Sequence, residues 1–309
     1  MATSEKRHPP PLLLTWAHRA YRHAWRFRGA RRVLTTLTAR VPAPDAIAMR
    51  TWGGGNLLFP RGARGGYNAY WSTGCYEEMT SAVILRLAPD RDFYDIGANV
   101  GYFTVLALAH GARSVTSFEP FPPNIEWLRE NVAANDGAAR GRILTLALGA
   151  EPAVLPLHSG GDFGDGSVSL TSATSAEVVA EVEVDRLDTI RGREQLPLPG
   201  LIKMDIEGFE DAALAGMEET LRASTPTIVV ELNQAALEAA GSSPKTVCAR
   251  MAALGYLKPL SLNARVIRPY QDTRFANALF VHPTDAARVA TALAPLLSGA
   301  ARAILGSSR

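Results

Sequence analysis

Phe93-Tyr94-Asp95-Ile96-Gly97-Ala98-Asn99-Val100-Gly101-Tyr102-Phe103-Thr104 is the stretch that decides the fold of this chain. An apolar run of strand type enters a turn with two glycines and leaves it as an apolar helix, the context that a nucleotide-binding turn requires. Glycine permits positive backbone angles and lets a ligand approach the main chain closely. Glu119 closes the next strand-like run, 24 residues after Asp95, where a carboxylate accepts hydrogen bonds from both hydroxyls of a ribose. A glycine pair alone is an ordinary tight turn. Asp95, the turn and Glu119 together point to a nucleoside-containing ligand.

The ligand class follows from what fills the turn. A dinucleotide fingerprint G-x-G-x-x-G needs glycine where this chain has Asn99 and Tyr102, and side chains there restrict the room for a pyrophosphate against the helix N-terminus. Asp95 suits a cationic ligand. S-adenosylmethionine carries an ammonium and a sulfonium but no phosphate, so it is the expected cofactor.

Outward from this turn, strand-like runs at 92–96, 114–119, 142–148, 201–206 and 227–232 alternate with amphipathic helices near 100–110, 122–134 and 210–223. Such alternation predicts an α/β fold, a mainly parallel sheet with helices on both faces. A further β pair, 153–158 with 178–184, brackets a Gly/Ser/Thr-rich loop. A helix near 245–254 and strands at 256–260 and 278–281 complete the pattern. The expected organisation is a basic helical arm over 1–45, a β/helix entry layer over 46–90, a core over 91–283 and a C-terminal helix and tail over 284–309.

The motifs resemble those of the FkbM family of S-adenosylmethionine-dependent methyltransferases. They are Asp-Ile-Gly-Ala-Asn-Val-Gly-Tyr (95–102), Ser-Phe-Glu-Pro (117–120), Leu-Ala-Leu-Gly (146–149), Ile-Lys-Met-Asp-Ile-Glu-Gly-Phe-Glu (202–210) and Ile-Val-Val-Glu-Leu (228–232). The resemblance spans about residues 74–281. It implies a Rossmann-like class I methyltransferase sheet of seven strands with the last antiparallel, and O-methylation of a hydroxyl on a sugar or natural-product metabolite. It also implies that Asp95, Gly97, Ala98, Asn99, Gly101, Tyr102, Glu119 and Pro120 line the cofactor; Tyr76 and Glu77, at a Tyr-Glu pair similar to the family's, read either as closing over it or as a solvated helix N-terminus.

Asp205 and Glu207 follow the fourth core strand, and Glu231 and Asn233 end the fifth, where an open α/β sheet opens into its ligand crevice. Asp205, Glu207 and Glu231 are therefore the candidate catalytic residues, placed to position the acceptor, accept its proton or stabilise the sulfonium end of the donor; Asp205 counts also toward the cofactor site. An alternative is that Asp205, Glu231 and Asn233 hold Mg²⁺, since an all-oxygen ligand set suits a hard cation. Glu210 reads as a helix-start acid that favours the N-terminal dipole.

Composition narrows the remaining choices. Of 309 residues, 47% are apolar, enough for one sizeable core. Residues 1–40 carry nine Lys/Arg against one Glu, so the rest of the chain is at −6 beneath a whole-chain charge of +2. The arm reads as one basic helix over 11–40. It suits an anionic membrane surface, a nucleic acid or an acidic substrate, and equally a solvated helix docked on the body by an aromatic face with Trp16 and Phe27; docking is the reading adopted here. Cys75 and Cys248 have no metal-ligand spacing. No apolar stretch is long enough to span a bilayer and none precedes a small-residue cleavage site, so an unprocessed, soluble, cytoplasmic protein is expected. Its expected partner is a small-molecule or glycosylated acceptor. Rival functions are methylation of a carboxylate or nitrogen on a peptide or other metabolite, and nucleic-acid binding or RNA modification by the arm.

Overall fold

The computed structural model describes residues 12–27, 29–38, 46–60, 70–135, 139–159, 168–170 and 177–307. In chain order its strands are β1 (Ala46–Arg50), β2 (Asn56–Pro60), β3 (Asp92–Ile96), β4 (Ser114–Phe118), β5 (Gly141–Leu144), β6 (Ala147–Leu148), β7 (Ala153–Ser159), β8 (Val168–Ser169), β9 (Val178–Asp185), β10 (Leu201–Met204), β11 (Thr227–Asn233), β12 (Leu260–Ser261), β13 (Arg268–Pro269) and β14 (Phe275–Phe280). The central sheet has the order β13-β12-β14-β11-β10-β3-β4-β5. β5, β4, β3, β10 and β11 are mutually parallel, and β14 lies antiparallel to β11. This is the Rossmann-like, class I arrangement expected, with the short edge strand β13 added as an eighth.

From β3 the chain builds one way, through β4 to β5, and then returns to lay β10 and β11 on the other side. The strand order therefore reverses between β3 and β10, and the crevice outside their carboxyl ends is the switch point where such sheets bind ligands.

Period-2 alternation sorts each strand between two cores. Phe93, Leu201, Val229 and Leu279 face one, packed on the helices Glu78–Leu87 and Tyr102–Ala109; Tyr94, Ile202, Ile228, Val230 and Phe280 face the other. The first core also takes in Leu14 and Leu305, so it joins residues from all four predicted segments.

The structure departs from the sequence reading at several points. The run 142–148 is shared between two sheets: β5 stays in the main one, and β6 pairs in parallel with β9 in a second sheet of order β6-β9-β7-β8. Of the predicted strand 256–260 only Leu260 joins a ladder; Pro259 has no N–H to donate. The helix 210–223 breaks into Glu210–Ala215 and Glu218–Ser224, because Gly216 lies against the Gly149 carbonyl, where no side chain fits.

The basic arm is two helices, Leu12–Ala24 and Ala30–Thr38, separated by a bend that includes Gly29 at φ 88°. Docking by Trp16 and Phe27 is overturned, since these side chains are 69% and 71% exposed. The docked row is instead Leu14, His18, Tyr21 and Trp25, at i, i+4, i+7 and i+11. The His18 ring donates to the Trp71 carbonyl at 3.0 Å, and the Tyr21 hydroxyl donates to Glu78 at 2.7 Å. Among the described residues no helix is long and apolar enough to cross a membrane.

Candidate functional site

A cavity of about 340 Å³ opens at the switch point, within the range of small-molecule sites. Gly97, Ala98, Asn99, Tyr102, Glu119, Pro120, Asp205, Glu207, Glu231 and Asn233 line it, as the sequence suggested. Asp95, Gly101 and Glu77 stand behind this wall.

The glycine turn is shaped by main chain meeting main chain. Gly97 has φ 77°, and a Cβ there would overlap the carbonyl oxygen of Asp205, so the turns after β3 and β10 touch backbone to backbone. The Gly97 and Ala98 N–H groups both donate to the Phe118 carbonyl at 3.0 Å. Gly101, at φ 90°, starts the helix Tyr102–Ala109.

Glu119 is 3% exposed and braces the turn. Its carboxylate accepts the N–H of Asn99 at 2.7 Å and that of Phe121 at 2.9 Å. Each oxygen retains acceptor capacity for a ligand hydroxyl. Burial pushes its pKa up to about 7, against the opposing hydrogen bonds from Phe121 and Asn99. Beside it, Phe118, Pro120, Leu146 and Leu148 make an apolar slot that suits a flat aromatic base.

Alternation explains the charged floor. Asp95 and Lys203 are register partners, as are Glu231 and Asn277, all on the face of Phe93, Leu201 and Val229. Lys203 is buried, its ammonium 2.9 Å from Asp205 and 5.0 Å from the centre of the Phe103 ring. Burial opposes its charge, but Asp205, Asp95 and Glu77 outweigh burial and raise its pKa. Asp95 is fully buried; one oxygen accepts from Thr104 at 2.6 Å and the other has no partner among the described residues. The motif aspartate therefore sits under the turn and acts on the site through the field it makes with Lys203.

Glu231 is 7% exposed, and its side chain makes no hydrogen bond or ion pair among the described residues. Burial raises its pKa, and repulsion from Asp205, Glu207 and Glu77 adds to the effect. Glu77, in the left-handed region at φ 46°, has its pKa raised first by burial and then held back by Lys203. Glu77, Asp205 and Glu231 offer oxygens within 4.8 Å of one another. The carboxylate trio thus contains Glu77 where the sequence suggested Asn233; the Asn233 side chain caps the helix Gln234–Ala239 by accepting from Ala236 N–H. Glu210 starts the helix Glu210–Ala215 as expected, and it is also 1% exposed and accepts the N–H groups of Ile206 and Gly208. Cys75 is buried beside Tyr102, and burial pushes its thiol pKa up, which makes it unreactive.

Reasoning from sequence missed several lining residues. Lys203 stood inside a quoted motif without a role, though a lysine in an otherwise apolar buried strand is itself a signal. Tyr76 and Phe59 come from outside the core, Phe275 opens β14, and Leu157, Val168 and Leu170 come from the second sheet and its continuation.

The buried carboxyls fix a pH response. Glu119 and Glu210 both titrate near 7 in the fold against an ordinary 4.5, so the fold favours their neutral forms. That stabilisation is complete below about pH 4.5 and is lost as pH rises through about 7. We expect stability of the ligand-free protein to fall across this window, by about 3 kcal/mol for each group. Urea titrations at pH 5 and pH 8 check this, and Glu119→Gln flattens the slope.

The sequence model of the family described as methyltransferase FkbM domain matches residues 95–258. Over 181 residues the chain is 28% identical to the hexuronic acid methyltransferase AglP of Haloferax volcanii, covering 55% of this chain and 66% of that protein. It is also 28% identical over 180 residues to the 31-O-demethyl-FK506 methyltransferase FkbM of Streptomyces tacrolimicus, covering 50% of this chain and 68% of that one. The chain thus spans about two thirds of the length of these relatives. The crystal structure of the methyltransferase FkbM from Methylobacillus flagellatus aligns with a TM-score of 0.41 and 15% identity, covering 85% of this chain and 62% of that one; the fold assignment rests on the strand order above.

Proposed function

Since the chain belongs to the FkbM methyltransferase domain family, we propose that it transfers a methyl group from S-adenosylmethionine to a hydroxyl of a sugar or natural-product metabolite. The observation that carries this reading is the charge of the cavity: its lining residues hold four carboxyls, Glu119, Asp205, Glu207 and Glu231, and one cation, Lys203. Such a site favours a cationic, phosphate-free ligand. The name of one relative, for a 31-O-demethyl substrate, supports transfer to oxygen, and that of the other, for a hexuronic acid, supports a sugar acceptor.

When bound, the donor supplies the methyl group together with its own leaving thioether. The residues of this chain supply placement. Glu119 accepts the two ribose hydroxyls, and the Phe118–Pro120–Leu146 slot holds the base. Asp205, fixed by Lys203, and Glu207 hold the cationic end and orient the acceptor. Glu231, buried and with no side-chain partner among the described residues, takes the acceptor proton. Leu157, Val168 and Leu170 keep water out.

Glu231→Gln is expected to lower kcat about a hundredfold while donor affinity, read by calorimetry, stays within a few-fold. A collapse of donor binding in this variant would assign Glu231 to the donor instead. A second reading is favoured by the oxygens of Glu77, Asp205 and Glu231 lying within 4.8 Å of one another: a Mg²⁺ held there would bind the acceptor oxygen. Turnover abolished by EDTA and restored by Mg²⁺ selects it over metal-free proton transfer.

The reading as a whole is tested by calorimetry with S-adenosylmethionine, then by turnover with a methyl-labelled donor on hydroxyl, carboxylate and amine acceptors. Label on oxygen of a hydroxyl, located by mass spectrometry, is the expected product. Label on a carboxylate or nitrogen overturns the acceptor class, and absence of donor binding overturns the function.

A further inference from the structure

The two N-terminal helices carry an outer face that no described residue covers. Opposite the docked row of Leu14 and Tyr21, Trp16, Ala20 and His23 recur at helical spacing and are exposed, and Phe27 continues the row past the helix end. In the second helix Leu34 and Thr38 are buried, whereas Val33 and Leu37 are exposed. Of nine large hydrophobic side chains exposed among the described residues, four belong to these two helices and the bend between them. The apolar exposure is therefore concentrated and not of the scattered kind that surfaces tolerate.

The same segment is charged with one sign. Residues 12–38 hold six arginines and no acid. The Arg19, Arg22 and Arg32 side chains are exposed and make no hydrogen bond or ion pair among the described residues. Like charges crowd there as well: the His110 pKa is lowered by burial and then by Arg22 and Arg86, and that of Arg86 by burial and then by Arg26. Uncompensated positive charge beside exposed apolar side chains calls for a surface that is both anionic and able to take up hydrocarbon.

We propose that this face docks peripherally on an anionic lipid bilayer, with Trp16 and Phe27 inserted at headgroup level and the free arginines on lipid phosphates. Aromatic and aliphatic side chains beside an arginine row are the chemistry of a helix lying in the interface plane. A nucleic acid would engage the arginines but leave Val33 and Leu37 in water. A second copy of the chain would set arginine rows of one sign against each other across a two-fold axis.

The test uses the full chain and two vesicle preparations, phosphatidylcholine alone and phosphatidylcholine mixed with phosphatidylglycerol, in a sedimentation assay. The protein is expected to pellet with the anionic vesicles only, and to be released by salt. Trp16→Ser with Phe27→Ser is expected to weaken binding more than tenfold, and Arg19→Gln roughly fivefold. Unchanged thermal midpoints establish that these exposed substitutions leave the fold intact. The proposal is overturned if neither vesicle binds, if both bind equally, or if the double variant binds as well as the wild type. Salt-sensitive binding of single-stranded RNA without vesicle binding would transfer the face to a nucleic acid. A dimer in sedimentation velocity that Trp16→Ser with Phe27→Ser dissolves, again without vesicle binding, would assign it to a second copy.

Discussion

Gly97→Ala is expected to destabilise the protein by about 3–5 kcal/mol and to abolish activity with it. Two costs add at this position. An L-residue at φ 77° pays left-handed strain, and its Cβ would overlap the Asp205 carbonyl oxygen, an atom of another strand's exit turn. Main chain cannot swing aside as a side chain can, so relief requires β3 and β10 to move apart, and these are the central paired strands of the sheet. Gly101→Ala is the instructive contrast. Its φ is 90°, but the obstructing atom, at 2.6 Å, is the terminal Leu128 Cδ1, which can rotate away, and about 1–2 kcal/mol is expected. Urea titration of both variants measures the difference. Equal, small losses would mean that the two turns are not held against each other.

Glu119→Ala is expected to weaken S-adenosylmethionine binding about a thousandfold, beyond what calorimetry detects. Each charge-assisted hydrogen bond lost to a ribose hydroxyl is worth about 1.5–3 kcal/mol, and two are lost together. The substitution also strips acceptors from the N–H groups of Asn99 and Phe121, so the turn that cradles the donor loosens. Glu119→Gln separates the contributions: it keeps one carbonyl acceptor, so a partial loss of affinity with near-normal stability is expected. Donor binding that survives Glu119→Ala would remove the ribose assignment, whatever the catalytic outcome.

Much of the donor half of the site was legible because it obeys local rules. A strand, a glycine turn and a helix are written consecutively in 93–104, and Glu119 stands at the end of the next strand, so neither needs tertiary information to be placed. Asp205 and Glu231 were found for the same reason, being acids at strand exits in an open sheet. The covering half follows no such rule. Leu157, Val168 and Leu170 reach the cavity because the 142–148 run is divided between two sheets, and a single Thr145 within it is too weak a signal to mark the division. Glu77 is of another kind: its carboxyl, beside Lys203 and Asn277 and near Asp205 and Glu231, is brought there by αL backbone at the helix start, which sequence spacing does not reveal. The basic arm misled because both faces of its first helix bear aromatic side chains, and periodicity cannot say which the body takes. Tyr21 and His18 are chosen by their hydrogen bonds to Glu78 and Trp71, partners more than fifty residues away.

The division of the cavity between two sheets separates two kinds of recognition. Gly97 and Glu119 stand at strand exits of the main sheet, whereas the slot beside Pro120 is closed by Leu146 and Leu148 at the passage into β6 of the second sheet. Leu157 of β7, Val168 of β8 and Leu170 just after it line the far wall, in a sheet joined to the main one by the short passage from β5 to β6. Leu157, Val168 and Leu170 can be exchanged, enlarged or trimmed without altering Gly97 or Glu119. The molecule is in this sense a tool-holder with a replaceable jaw, and a library restricted to Leu157, Val168 and Leu170 is expected to vary the accepted substrate while affinity for S-adenosylmethionine, read by calorimetry, stays within a few-fold.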